Sequence, residues 1–164
     1  MGKTADYSQL ECAVAGTLQI VGDPWTLLIL SAAFNGVSRF EQWCERLGLA
    51  RNVLAVRLKT LVANGLLEKR LYCPRPERYE YVLTPKGHDA FPILAAMRQW
   101  GNRHIYGQGN EPFRHIHSEC DKHFEPTLHC GHCGEPVGHD DVTVELTDTT
   151  APFVELPKQQ RRRG

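Results

Sequence analysis

LARNVLAVRLKTLVAN, residues 49–64, places Leu54, Leu58, Leu61 and Val62 along one side of a helix, at the i, i+4, i+7, i+8 spacing that buries a single stripe. At about 100° per residue the opposite face carries Asn52, Val56 and Lys59, with Val53 beside them and Arg51 and Arg57 on the flanks. Such a helix has an apolar back that seats in a core and a front able to touch something polar or anionic.

Upstream, Ser38 and Glu41 form a Ser-x-x-Glu capping box that opens SRFEQWCERL, with Phe40, Trp43, Cys44 and Leu47 on one face. Gly48 ends that helix almost directly before the next, the short turn a helix-turn-helix requires. Downstream, Gly65 is a stop, LLEKRLY reads as a strand, CPRPER as a proline-rich turn and YEYVL as a second strand. Helix, tight turn, helix and hairpin follow one another in the order of a winged helix-turn-helix, whose second helix enters the DNA major groove. Asn52 is the expected base reader, because its amide can pair bidentately with adenine. Val53 and Val56 lie beside it, and Arg39, Arg51, Arg57, Lys59, Arg75, Arg78 and Lys86 are the phosphate candidates, Arg75 and Arg78 at the hairpin tip.

The flanking segments supply the rest of a mainly α domain with a small β-hairpin wing, expected over residues 1–107. A first helix spans roughly residues 8–21 and contains Cys12. Asp23 and Pro24 cap and start WTLLILSAAF, which has almost no polar side and is expected in the middle of the core, closed by Asn35 and Gly36. Thr84 and Pro85 open a helix reaching about residue 106, kinked at Pro92, with an apolar stripe through Ala90, Ile93, Leu94, Met97, Trp100, Gly101 and His104. A long striped helix on a small domain needs a partner surface, and the expected partner is its copy in a homodimer. Trp25, Phe91, Met97 and Trp100 could line a small-molecule inducer pocket between such helices, although side chains of this kind more often form plain core.

The chain's net charge of zero conceals an asymmetry. Residues 1–107 hold 13 Lys and Arg against 9 Asp and Glu, a net of +4; residues 108–164 hold 6 against 10, a net of −4. Residues 37–86 alone carry 10 against 5, the local positive charge that phosphate contact needs. No apolar run reaches transmembrane length and no signal-peptide core opens the chain, so the expectation is a soluble, cytoplasmic protein without a membrane partner. In that compartment six cysteines point to metal or redox chemistry before disulfides.

Residues 108–164 lack long periodicity and enough apolar residues for a core of their own. They contain HIHSECDKHFEPTLHCGHCGEP, in which His117-x2-Cys120 and Cys130-x2-Cys133 make two knuckles nine residues apart. Two short chelating pairs sharing one tetrahedron are the arrangement of a structural Zn2+ site, so a zinc-ribbon-like appendage is expected. His123 competes with His117 for the fourth position, and His115, His129, His132 and His139 are weaker contenders. An enzyme reading, from the H-x-E and C-x-x-C of zinc deaminases, fails because the two parts are too close and no Pro precedes Cys130. A thioredoxin-like use of CGHC lacks a βαβ context. Arg161, Arg162 and Arg163 read as a disordered end.

Cys12 upstream of TLQIVGDPWTLLIL, the LARNVLAVRLKTLVANGLLEKR block, the YEYVLTPKG junction and Trp100 together resemble the HxlR family of bacterial winged-helix transcriptional regulators over about residues 10–106. The resemblance implies a homodimer on palindromic operator DNA with the terminal helices at the dimer interface, and not an enzyme. It further implies that Cys12 stands where some members carry a thiol sensing electrophiles or oxidants. The switch would be a small inducer or thiol oxidation, with the zinc tail as the alternative sensor. Two departures are Asp23-Pro24, where the family usually has small residues and a Lys, and Ala50, where a capping Ser is common; the latter weakens the helix cap by about 1 kcal/mol.

Overall fold

The computed structural model describes residues 12–107 and 109–143. The start of the expected first helix and Arg161 to Arg163 lie outside them. The first helix, α1 (Ala13–Val21), has Cys12 at its N-cap. In α2 (Pro24–Phe34) the Asp23 carboxylate accepts from the Trp25 amide at 3.0 Å, and Pro24 fills the first turn, where an N–H has no helical partner to lose. Thr26, Ile29, Leu30 and Ala32 are buried, but Trp25 and Leu28 remain 37% and 46% exposed. The almost wholly apolar α2 therefore keeps one face uncovered, where a central position was expected.

The capping box of α3 (Phe40–Leu47) falls one residue later than the Ser38–Glu41 pattern suggests. The chain enters helical geometry at Phe40, so Gln42 is the residue placed to reach back: its Oε1 accepts from the amides of Ser38 at 3.3 Å and Arg39 at 3.0 Å. Glu41 is released to pair with Arg51. Gly48, at φ +61°, closes α3 in the left-handed conformation glycine adopts without strain, and α4 (Arg51–Ala63) follows from an extended Ala50. The stripe of α4 is seated as expected, with Leu54, Leu58 and Leu61 fully buried beside Ile29, Leu30, Trp43 and Leu67. Each such side chain contributes about 1.5–3 kcal/mol on leaving water. The buried Trp43 indole donates to the Ile29 carbonyl at 3.3 Å, so the core's one indole N–H is satisfied among the described residues.

The wing pairs β1 (Leu67–Pro74) with β2 (Glu77–Leu83) antiparallel, from Leu67 opposite Leu83 to Pro74 opposite Glu77, with a bulge between Leu71 and Cys73. Pairing runs further into CPRPER than its prolines suggest, because a strand in a two-stranded ribbon has an outer side on which no N–H is required. Arg39 bridges to Glu80, and the Tyr81 amide donates to the Ser38 carbonyl at 2.8 Å, so the segment before α3 ties the helix-turn-helix to the wing.

Beyond the wing the expected single kinked helix is broken in two. Thr84 Oγ1 accepts from the Gly87 amide at 3.0 Å to cap α5 (Pro85–His88); the chain turns at Asp89 and Ala90, and α6 (Phe91–Gly101) restarts with Pro92 in its first turn. Pro92 has no N–H to offer a preceding turn, so a restart costs less than a continuous bent helix. A π-helical turn, Asn102–Tyr106, completes it. The apolar stripe divides accordingly. Ala90, Leu94 and Ala95 face inward, while Ile93, Met97 and Trp100, at i, i+4 and i+7, are 40%, 51% and 61% exposed.

The tail holds a small hairpin, β3 (Ile116–His117) with β4 (Lys122–His123), a turn at residues 130–134 and a 3-10 turn at His139–Asp141. It is fastened to α6: Gln99 Nε2 donates to the Pro126 carbonyl at 2.9 Å, Phe124 lies 5.9 Å from Phe91 between ring centroids, and the Arg98 guanidinium contacts the His115 imidazole.

Candidate nucleic-acid interface

Seating Leu54, Leu58 and Leu61 in the core fixes the rotation of α4 and turns Asn52, Val56 and Lys59 outward. All three are exposed, Val56 by 57%, so the front of the helix presents an amide, a small apolar group and a cation within two turns. Val53, expected beside them, is half-buried and packs against the core.

The basic side chains separate by what holds them. Arg57 pairs with Asp23 at 2.6 Å, both side chains less than one-third exposed, and so joins the middle of α4 to the N-terminus of α2. Arg51 pairs with Glu41 at 2.5 Å in the open; that hydrogen bond holds the Glu41 carboxyl below its ordinary range and raises the Arg51 guanidinium. Lys86 Nζ donates to the Asn64 carbonyl at 2.9 Å, neutralising the C-terminal end of α4. Arg39 lies 4.6 Å over the Tyr72 ring. Lys59, Arg75 and Arg78 are exposed and have no ion pair among the described residues. The last two flank the Pro76 turn at the far end of the wing.

Sequence spacing passed over Lys69 and Arg70. Lys69 Nζ sits 3.7 Å from the Tyr79 ring centre, and Arg70 pairs with Glu80, its cross-strand neighbour, at 2.8 Å. Period-two alternation along β1 was the available signal, since it sets these two cations on opposite faces of the wing.

The other sequence candidates lie elsewhere. Cys12 is half-buried at the start of α1. Cys44 packs against the core, and Cys73 lies on β1 with Sγ 3.6 Å from the Arg75 carbonyl. In the tail, His117 Nδ1 is 3.3 Å from Cys120 Sγ. The Cys130 thiol is pushed down by the backbone amides of Cys133 and His132 and by the Cys133 side chain. Among the described residues no group of three or more His, Cys, Asp or Glu side chains is gathered as a metal would require, so the two pairs stand as pairs. Trp25, Phe91, Met97 and Trp100 are all exposed, and a cleft of about 360 Å³ lies between α6 and the tail, beside Arg98, Gln99, Arg103, Glu111 and Phe124. Burial lowers the Arg98 guanidinium there, and burial together with the Arg98 charge lowers the His115 imidazole.

Residues 20–108 match the HxlR-like helix-turn-helix family. Rv3095 of Mycobacterium tuberculosis, an uncharacterised HTH-type transcriptional regulator, is 41% identical over 133 residues, spanning 81% of this chain and 84% of its own. Among solved structures, PA1607, a candidate transcription factor, is 33% identical with a TM-score of 0.77, covering 86% of this chain and 99% of its own, tail included. The redox regulator HypR in its oxidised form is 28% identical with a TM-score of 0.51, covering 55% of this chain and 94% of its own. These relatives are regulators and not enzymes. Among the described residues no single helix is long and apolar enough to cross a membrane.

Proposed function

The chain belongs to the HxlR-like helix-turn-helix family, and from that membership we propose a cytoplasmic repressor that binds a palindromic operator as a homodimer, with α4 in the major groove and the wing tip against a neighbouring phosphate strand. The observation that carries this reading is the outward face of α4, where Asn52 and Lys59 stand exposed on a helix whose rotation is fixed by three buried leucines. Asn52 reads a base edge; Lys59, Arg75, Arg78 and the exposed Arg51 and Arg39 meet phosphates. Arg57 and Lys86 act by holding α4 in place.

Dimerisation is supported by the outer stripe of α6. Ile93, Met97 and Trp100 form an exposed apolar row on a helix, and a second copy of the same row covers it through a two-fold axis. The switch we propose is oxidation of Cys12. The thiol stands half-buried and unpaired with any other sulfur at the N-cap of α1, and HypR is a redox regulator of the same fold.

Selection of duplexes from a random library by the purified full-length protein tests the proposal. Enrichment of inverted half-sites about one helical turn apart, about 10 base pairs, is expected. Recovery of sequence without symmetry, or no enrichment above a non-specific background, would refute it. A Cys12→Ser variant that still releases DNA on mild oxidation would overturn the thiol switch alone.

A further inference from the structure

The tail contains one hairpin built twice. In the first copy, residues 115–124, Ile116 pairs with His123, the Phe124 amide donates to the His115 carbonyl at 2.8 Å, and the Asp121 amide donates to the His117 carbonyl at 2.9 Å. In the second, residues 128–137, His129 pairs with Pro136, the Val137 amide donates to the Leu128 carbonyl at 2.9 Å, and the Gly134 amide donates to the Cys130 carbonyl at 2.8 Å. Every one of these contacts recurs thirteen positions later. The backbone agrees: the residue closing each turn is left-handed, Asp121 at φ +55° and Gly134 at φ +77°. Superposing the copies by this register sets His117 on Cys130 and Cys120 on Cys133, and sets His123 on Pro136, which has no donor.

A turn of this construction brings the side chains of its first and fourth residues to the same side. His117 Nδ1 stands 3.3 Å from Cys120 Sγ, the spacing of two donors on one side of such a turn. Neither copy has an apolar interior to hold it: Ile116, Leu128 and Pro136 are exposed, and the donor residues lie at the surface or half-buried. A duplicated turn with soft donors at the same two places, and without a core, fits a structural ion shared between the copies. Three sulfurs and one imidazole are a donor set suited to tetrahedral zinc.

We propose that residues 115–137 form a zinc site in which His117, Cys120, Cys130 and Cys133 bind one ion between the two hairpins, with His123 outside the ligand set.

Zinc analysis of the full-length protein, purified reduced and then exchanged with cobalt, tests this. About one zinc per chain is expected, with the absorption of tetrahedral cobalt bound by thiolates. Cys120→Ser and Cys130→Ser should each reduce bound zinc to below about a tenth of an equivalent under competition with a chelator, whereas His123→Ala should retain it. His117→Cys should also retain the ion and strengthen the thiolate-to-cobalt absorption, since it makes the first hairpin chemically equal to the second. That gain is a readout that mere unfolding of the tail cannot mimic. Less than about a tenth of an equivalent in zinc-supplemented wild-type protein would overturn the proposal. So would octahedral cobalt without thiolate absorption, or loss of the metal in His123→Ala with retention in His117→Ala.

Discussion

Arg57 and Lys59 are two positions apart on α4 and carry the same charge, yet the structure gives them different work, and three variants separate them. Lys59 is exposed with no ion pair among the described residues, so its ammonium is available to a phosphate. Each phosphate contact adds about 0.9 to the slope of log affinity against log salt. At about 0.15 M salt that is roughly 0.7 in log affinity per copy, so Lys59→Ala in a two-copy complex should weaken operator binding about 30-fold, or ~2 kcal/mol, and reduce the salt slope by about two. Its thermal midpoint should not move. Arg57 is held to Asp23 at 2.6 Å with both side chains less than one-third exposed. Arg57→Ala leaves a half-buried carboxylate without its cation, a loss of about 1–2 kcal/mol between the surface and buried limits, and a midpoint lower by about 3–8 °C. Asp23→Asn keeps the helix cap and removes the ion pair. It should lose stability as Arg57→Ala does while leaving DNA affinity equal or higher, because the guanidinium is set free. Fluorescence anisotropy across a salt series, with thermal melts on the same samples, reads all three. Arg57→Ala with an unchanged midpoint and a reduced salt slope would refute the assignment, because Arg57 would then be leaving Asp23 for the operator.

On the proposed dimer, Met97→Glu with Trp100→Glu should leave a monomer in light scattering and abolish cooperative operator binding, since two carboxylates per chain would have to enter the proposed α6 interface. Gly87→Ala should cost about 2–4 kcal/mol in urea unfolding: an added Cβ would stand 2.1 Å from the Leu66 carbonyl oxygen, so α5 must move off the start of β1. Burial raises the Tyr81 phenol, which packs on Trp43 with ring centroids 6.0 Å apart. The unfolded chain therefore releases this proton first as pH rises past ~10, and stability declines in that range. Tyr81→Phe should flatten that alkaline decline, measured by urea midpoints at a series of pH values.

What the sequence shows of this fold, and what it hides, divides along the range of the interactions. The caps at Asp23 and Thr84, the stop at Gly48 and the stripe of Leu54, Leu58 and Leu61 depend on neighbours within a few residues, and each is where periodicity and turn chemistry place it. The pairing of Arg57 with Asp23 depends on the packing of α4 across α2, over 34 positions of sequence, and no local pattern distinguishes Arg57 from Lys59. The uncovered faces of α2 and α6 are equally non-local: an apolar face reads the same in sequence whether the core or a second subunit covers it. The tail is the opposite case, a local regularity that residue identity conceals. Aligned thirteen positions apart, residues 115–124 and 128–137 share one identical residue, the cysteine at 120 and 133, because the rest of the repeat is written in backbone hydrogen bonds. Its left-handed position is a glycine in one copy and an aspartate in the other, and aspartate is among the few side chains that tolerate that conformation. Spacing alone put His117 in the first knuckle and left His123 as its competitor. The hairpin register separates them, since it gives His123 the place of a proline and His117 the place of a cysteine.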